Sequence, residues 1–167
     1  MIDELISQEH LNIIVDTLLR RSRQILALEQ NRRALEYAPY CSMRRKHNTT
    51  SLMLSAFAPD QFKCEGIRVD NVSYGLNGRM AQPELRVDDA IVQIYSNGSN
   101  LKGNVINDRC ERYNSSEESR PQFLIIVVTM SSEGNISRID LRRPDRSTTI
   151  IETKTVYTNI TKISSAM

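Results

Sequence analysis

Arginine dominates the cationic residues of this 167-residue sequence, with 17 arginines against 5 lysines. A guanidinium presents a planar fork of N–H donors that fits phosphate or carboxylate in a two-point contact, whereas a lysine ammonium acts as a point charge. The arginines are concentrated near the amino terminus, because residues 20–50 carry eight Arg or Lys against Glu29 and Glu36. The candidate contact residues for an anionic partner are Arg20, Arg21, Arg23, Arg32, Arg33, Arg44, Arg45 and Lys46.

This basic segment predicts contacts with nucleic acid, a nucleotide or an acidic protein. The formal net charge of the whole chain is only +2, so the positive charge is local. Tyr37 and Tyr40 are the only aromatic residues within it that could stack on bases. The competing interpretation is a solvated helix face whose arginines pair with Glu29, Glu36 and acids of the sheet.

A second set of residues could support hydrolysis, namely Pro144-Asp145 followed by Glu152-Thr153-Lys154. This pattern resembles the PD-(D/E)xK signature of metal-dependent nucleases. The resemblance implies that Asp145 and Glu152 would hold Mg²⁺ and that Lys154 would help to position or activate water. It also implies a core that continues with a helix and another strand after the lysine. The match covers eleven residues, from Pro144 to Lys154.

The same residues also fit the charged face of a β-hairpin. If residues 145–149 form the connection, Arg142 would pair with Glu152 and Asp140 with Lys154. These would be opposite charges directly across the ladder, which stabilise a strand pair. A connection shifted by one residue would instead place Asp140 beside Glu152.

The sequence contains few histidines and cysteines that could support catalysis or metal binding. His10 and His47 are the only histidines, and Cys41, Cys64 and Cys110 are the only cysteines. Three widely spaced cysteines are typical of free thiols in a reducing compartment rather than of a disulfide framework. These residues include no close ligand pair of the kind that zinc sites use. The sequence therefore predicts no metal and no cofactor, apart from the Mg²⁺ of the nuclease alternative.

The first part of the basic segment is expected to lie on a helix that exposes its arginines on the protein surface. Leu11, Ile14, Val15 and Leu18 recur at three- and four-residue spacing, which is typical of an amphipathic helix. The pattern predicts a long helix from about Gln8 to Glu36. Its apolar side would pack on the rest of the protein, and the arginines would face outward.

A second, short helix is predicted around Thr50 to Phe57. From Gly66 onward, β-branched runs separated by Gly and Asn predict strands over residues 66–74, 86–95, 122–130, 136–142 and 149–157. The apolar run Phe123–Val128 is typical of a central strand that is covered on both faces. Residues 97–121 form a polar segment that is long for a compact domain. It is either a surface loop, which could contain a helix around residues 105–112, or a binding site.

These elements predict a single α+β domain. Its helical part would be residues 1–58, with the basic segment 20–47, and its sheet part residues 59–167, with the polar loop 97–121. The fold class is a long amphipathic helix and a short helix packed on a mostly antiparallel sheet of about five strands. An acidic amino terminus and the lack of any apolar run of about 20 residues predict a cytoplasmic protein without a membrane segment.

The sequence favours a binding protein over an enzyme, with the basic helical surface and the loop 97–121 as contact surfaces. The first alternative is the Mg²⁺-dependent nuclease that would use Asp145, Glu152 and Lys154. A further alternative is an oligomeric structural or inhibitory protein, in which the apolar stripe of the long helix packs between subunits.

Overall fold

A computed structural model of the chain describes residues 1–36, 56–58, 62–74, 80–96, 104–114, 121–131 and 135–159. The short helix predicted around Thr50 to Phe57 lies outside these ranges except for its last two residues. No helix in the described ranges is long and apolar enough to cross a membrane.

Two helices open the chain, α1 (Ile2–Leu5) and α2 (Gln8–Glu36). The predicted bounds of the long helix are confirmed. Ser7 precedes α2, and its hydroxyl oxygen accepts a hydrogen bond from the backbone N–H of His10 at 3.2 Å. This bond satisfies one of the donors that a helix leaves unpaired at its amino-terminal end.

Within the described ranges, six strands form one sheet, and they lie in chain order across it. They are β1 (Ile67–Tyr74), β2 (Met80–Val87), β3 (Ala90–Ser96), β4 (Gln122–Met130), β5 (Ile136–Pro144) and β6 (Ile150–Thr158). Every neighbouring pair is antiparallel except β3 and β4. Helix α3 (Asn104–Tyr113) supplies the crossover that this parallel pair requires. The mostly antiparallel α+β class is confirmed, with six strands in place of the five predicted.

The extra strand is β2, of which residues 80–85 were in no predicted strand and the last two residues belonged to the predicted strand 86–95. The predicted strand 86–95 is divided by Asp88 and Asp89, because Val87 pairs with Ala90 across the hairpin of β2 and β3. Asp88 has a φ of 50°, the left-handed conformation that this kind of turn needs. Aspartate tolerates it better than most residues do, but without a glycine the turn gives little signal in the sequence.

The two faces of the sheet are covered by different helices. On the α2 face, a large cluster joins α1 and α2 to alternate residues of the strands, including Leu11, Ile14, Leu18, Leu85, Val92, Leu124, Ile126 and Leu141. On the α3 face, a smaller cluster contains Ile91, Ile106, Cys110, Phe123, Ile125 and Val127. The apolar strand β4 is thus covered on both faces, as predicted.

Candidate functional site

The predicted basic surface begins where the packing of α2 against the sheet ends. The buried residues of α2 run from Leu11 to Ser22, whereas Ile25 is only half-buried. Arg20 and Arg23 are exposed in this part of the helix, and Arg21 is half-buried. The structure therefore brings three of the predicted contact residues together within one helical turn.

Among the described residues, the exposed arginines of this turn have no acidic partner. Arg21 donates a hydrogen bond to the side-chain oxygen of Gln24 at 3.3 Å. Within the described part of the chain, Arg20 and Arg23 form no hydrogen bond and no ion pair. The alternative in which acids neutralise the arginines is not seen for these two side chains.

The remaining predicted contact residues are described less fully. Arg32 and Arg33 belong to α2, but their side chains lie outside what the structure describes. The cluster Arg44 to Lys46 lies outside the described residues. The basic surface is therefore defined here by Arg20, Arg21 and Arg23.

The apolar stripe of α2 is used within the chain. Leu11, Ile14 and Leu18 are at most 1% exposed and belong to the cluster on the α2 face. This part of the stripe is therefore not open to a second subunit, which is what the oligomeric alternative would need.

Asp145 lies in the turn between β5 and β6, where it organises the backbone. Its Oδ1 atom accepts hydrogen bonds from the N–H and hydroxyl groups of Ser147, at 2.8 and 2.9 Å, and from the N–H of Thr149 at 3.0 Å. The side-chain hydrogen bond from Ser147 lowers the pKa of Asp145, helped by the two backbone N–H groups and partly opposed by burial. These contacts are those of a turn-forming aspartate.

Glu152 and Lys154 attach the amino terminus to β6. An oxygen of Glu152 accepts a hydrogen bond from the backbone N–H of Ile2 at 3.0 Å and lies 3.9 Å from Arg143. The ammonium of Lys154 lies 2.7 Å from the carboxylate of Asp3 and also donates to Gln8 at 3.0 Å. The residues of the nuclease alternative thus have separate structural partners.

The expected connection of residues 145–149 is confirmed, because Pro144 pairs with Ile150, but the charge pairs expected across the hairpin are wrong. Asp140 lies opposite Thr155, and Arg142 lies opposite Thr153. The expected charge pairs therefore do not face each other. The register shift beside Ile151, next to the turn, moves the pairing by one residue, and a second shift follows beside Val156. Since successive strand residues point to opposite faces, a slip of one residue is enough to separate the predicted pairs.

The nuclease resemblance implies that a helix and another strand follow the strands that carry the site. This order does occur, but earlier in the chain, where β2 and β3 are followed by α3 and β4. Glu84 on β2 and Gln93 on β3 lie side by side, and α3 and β4 follow them. The position two residues after Gln93, where that pattern has lysine, is Tyr95. No group of three or more His, Cys, Asp or Glu residues in the described ranges is placed to hold a metal ion. The described residues therefore do not fit the two-acid-plus-lysine magnesium centre.

Glu84 and its neighbours form a buried polar cluster under α3, which we call the Glu84 cluster: Glu84, Gln93, Tyr95, Arg109 and Tyr113. Glu84 is only 1% exposed, and Nε of Arg109 lies 3.2 Å from its Oε1 atom. The amide of Gln93 donates to the same oxygen at 3.3 Å and accepts a hydrogen bond from the hydroxyl of Tyr95. Arg109 also contacts Tyr113, whose ring centre lies 5.9 Å from the guanidinium carbon.

The prediction from sequence missed this cluster. The available signal was a polar residue inside an apolar strand, as in Ala90-Ile91-Val92-Gln93-Ile94. A buried polar side chain is almost always paired, so Gln93 implied a partner on a neighbouring element. The identity of that partner depended on strand register and on the position of α3.

His10 and Asp88 connect α2 to the β2–β3 turn. Nδ1 of His10 lies 3.1 Å from both carboxylate oxygens of Asp88, and Asp88 also accepts from the backbone N–H of Ser7 at 2.9 Å. The hydrogen bond to Asp88 raises the pKa of His10, against a smaller opposing effect of burial. Burial would raise the pKa of Asp88, but the hydrogen bonds from Ser7 and His10 outweigh it and lower the pKa.

Gly66 packs directly against this histidine. Its φ is +87°, and a Cβ atom there would lie 2.7 Å from Nε2 of His10. Both the backbone conformation and the close approach therefore require glycine.

The described cysteines show no reactive environment. Cys110 lies on α3 and is fully buried, and burial raises its pKa to about 11, with a smaller contribution from the charge of Asp145. A thiol with so high a pKa is a poor nucleophile at neutral pH. Cys64 is a half-buried free thiol, and Cys41 lies outside the described residues.

Comparisons with protein-family models, with curated proteins and with solved structures found no match to this chain. The functional argument therefore depends on the residues and their geometry alone.

Proposed function

We propose that this chain is a non-enzymatic binding protein that contacts an anionic partner through the arginines of α2. The main support is that Arg20 and Arg23 are exposed and have neither a hydrogen bond nor an ion pair in the described part of the chain. Side chains three residues apart on a helix are neighbours, so these two guanidiniums can reach adjacent anionic groups.

Nucleic acid is the first partner to test, because its phosphates form a continuous row of anions. Each phosphate that the protein neutralises releases counterions, so the affinity falls steeply with salt. The measurement is fluorescence anisotropy of labelled duplex DNA, single-stranded DNA and RNA with the metal-free protein, over a range of salt concentrations. We expect binding at low salt and a linear decrease of log K with log salt concentration.

The test variant is Arg20→Glu/Arg23→Glu, and the matched control is Arg146→Glu/Lys63→Glu. Both double variants change the charge by the same amount, and all four side chains are exposed. We expect the α2 variant to lose about two units of the salt slope, roughly 0.9 for each lost phosphate contact. Equal effects of the two variants would mean that only net charge matters and would reject the α2 surface.

An acidic polypeptide separates the two classes of partner. Labelled polyglutamate carries carboxylates in place of phosphates and serves in the same assay. Binding of polyglutamate alone would assign the surface to an acidic protein, and no binding of either polymer at low salt would refute the proposal. Adding Mg²⁺ or Mn²⁺ to the nucleic-acid complexes tests the nuclease alternative, which requires cleavage.

A further inference from the structure

Two arginines lie directly opposite each other on the α3 face of β1 and β2. Arg68 pairs in register with Arg86, and the next pair on that face is Asp70 with Glu84. Leu85 and Val87 alternate with these residues and point into the cluster on the α2 face. Like charges directly across two strands repel each other, so this pair is destabilising unless an anion offsets it.

Asp70 supplies only part of that compensation. Its Oδ2 atom lies 3.1 Å from an amino group of Arg68 and 2.9 Å from Nε of Arg86. Although the second approach is close, the buried Nε–H of Arg86 has no hydrogen-bond partner among the described residues. Among the described residues, these two guanidiniums, with five N–H donors each, thus share one oxygen of Asp70.

A cavity of about 480 Å³ opens beside this pair. Arg68 and Arg86 form one side of it, and the turn of β2 and β3, Gly66 and Pro121 form the rest. This volume lies within the usual range for small-molecule sites.

The acids at the cavity are already engaged. Asp88 binds the backbone N–H of Ser7 and the ring of His10. Asp89 also has a partner, and its backbone carbonyl accepts from the N–H of Gln122 at 2.9 Å. These hydrogen bonds do not remove the charges of Asp88 and Asp89, so the positive excess is confined to the arginine pair itself, where two guanidiniums share the one acid Asp70.

We propose that this cavity binds a small phosphomonoester and that Arg68 and Arg86 donate hydrogen bonds to its phosphate. Arginine forks match the oxygens of a phosphate in charge-assisted hydrogen bonds. A phosphomonoester carries about −1.5 to −2 charges at neutral pH, enough to offset the pair, and its three oxygens can accept from both side chains. The arginine pair lies on the sheet face opposite α2, although the β2–β3 turn at the cavity contacts His10 of α2. The cavity is not lined by the α2 arginines, so the proposal does not depend on their proposed function.

The experiment follows amide chemical shifts of the full chain during titration with inorganic phosphate, with glucose 6-phosphate and with acetate. Ionic strength is held constant with sodium chloride, because screening alone changes the exposed charges. We expect saturable shifts centred on residues 86–90 for both phosphate compounds. Acetate should bind at least tenfold more weakly, because it has one charge and two oxygens. Binding of acetate as tight as that of phosphate would reject a phosphate site.

Three variants assign the binding to the arginine pair. Arg68→Gln removes an exposed side chain with little risk to folding, and Arg68→Lys keeps the charge but loses the fork. Arg112→Gln is the matched control, because this exposed arginine on α3 does not line the cavity. We expect Arg68→Gln to weaken phosphate binding at least tenfold, Arg68→Lys to have a smaller effect, and the control to bind like the original chain.

Two results would overturn the proposal. One is the absence of saturable shifts at 50 mM phosphate, since a site with two arginines should be occupied at that concentration. The other is an equal loss of binding in Arg68→Gln and Arg112→Gln, which would mean that binding depends only on the net charge of the protein. Arg86→Gln is a second test of the pair, and its fold is checked first by circular dichroism because Arg86 is less exposed.

Discussion

The α2 face of the sheet is closed by aliphatic side chains, whereas the α3 face combines a smaller aliphatic cluster with charged and polar groups. On the α2 face, Leu11, Ile14 and Leu18 need only shape and hydrophobicity, because apolar burial is non-directional. On the α3 face, Glu84 and Arg109 need a partner at a defined distance and angle.

This difference indicates that the α2 face mainly stabilises the fold, whereas the α3 face offers groups for recognition. The α2 face can be substituted with other aliphatic residues of similar volume at modest cost. Buried ions on the α3 face are costly to desolvate and contribute little net stability, although removal of one partner is severe. The same face carries Arg68 and Arg86 beside a cavity, so it offers the groups that can recognise a ligand.

The largest effect is expected on the α3 face. Arg109→Leu should lower the free energy of unfolding by about 3–5 kcal/mol, because it removes a cation from the buried carboxylate of Glu84. Urea denaturation measures the loss, and the double variant Glu84→Leu/Arg109→Leu should recover part of it. Arg112→Leu on the exposed side of the same helix should change the stability by less than about 0.5 kcal/mol. Equal losses for Arg109→Leu and Arg112→Leu would mean that the Glu84 cluster has no energetic role.

A loss of similar or smaller size, with a different dependence on conditions, is expected on the α2 face. Leu18→Ala should cost about 2–5 kcal/mol, since a fully buried leucine leaves a cavity. The loss should be the same at low and high salt because aliphatic packing carries no charge. Leu19→Ala, the same substitution at the half-buried neighbour, should cost less. A strong salt dependence of the stability loss in Leu18→Ala would contradict the expected difference between the two faces.

The smallest effect is expected at the edge where α2 meets the β2–β3 turn. The pKa of His10 is raised in the folded protein, so its contribution is fully present below the ordinary value near 6.5 and is lost as pH rises through the folded value. His10→Gln should therefore lose stability relative to the original chain at pH 6 and approach it at pH 8. Urea denaturation at both pH values measures this difference. Parallel pH profiles would show that the contact with Asp88 does not stabilise the fold.

The lowered pKa of Asp88 gives the opposite pH dependence. Its contribution is present above its ordinary value and is lost as pH falls through the folded value. Asp88→Asn should therefore remain less stable than the original chain at pH 8, where His10→Gln approaches it, and this difference should shrink as the pH falls through the folded pKa of Asp88. Urea denaturation at pH 8 and in acid measures the change.

Local patterns in the sequence determined the long helix and most of the strands. The repeat of Leu11, Ile14, Val15 and Leu18 fixed the buried side of α2, because side chains three and four residues apart share one face of a helix. The apolar run of β4 identified a strand covered on both faces. These predictions needed only the periodicity and propensity of neighbouring residues.

Tertiary structure decided which elements pair and in which register. The parallel pairing of β3 with β4 and the shifted register of β5 with β6 have no local signal, because they depend on the crossover by α3 and on irregularities in β6. The Glu84 cluster is assembled from β2, β3 and α3, and the cavity at Arg68 and Arg86 from segments that meet only in the folded sheet. The sequence supplied the arginines, but only long-range packing could place them beside the acids and the cavity that give them a role.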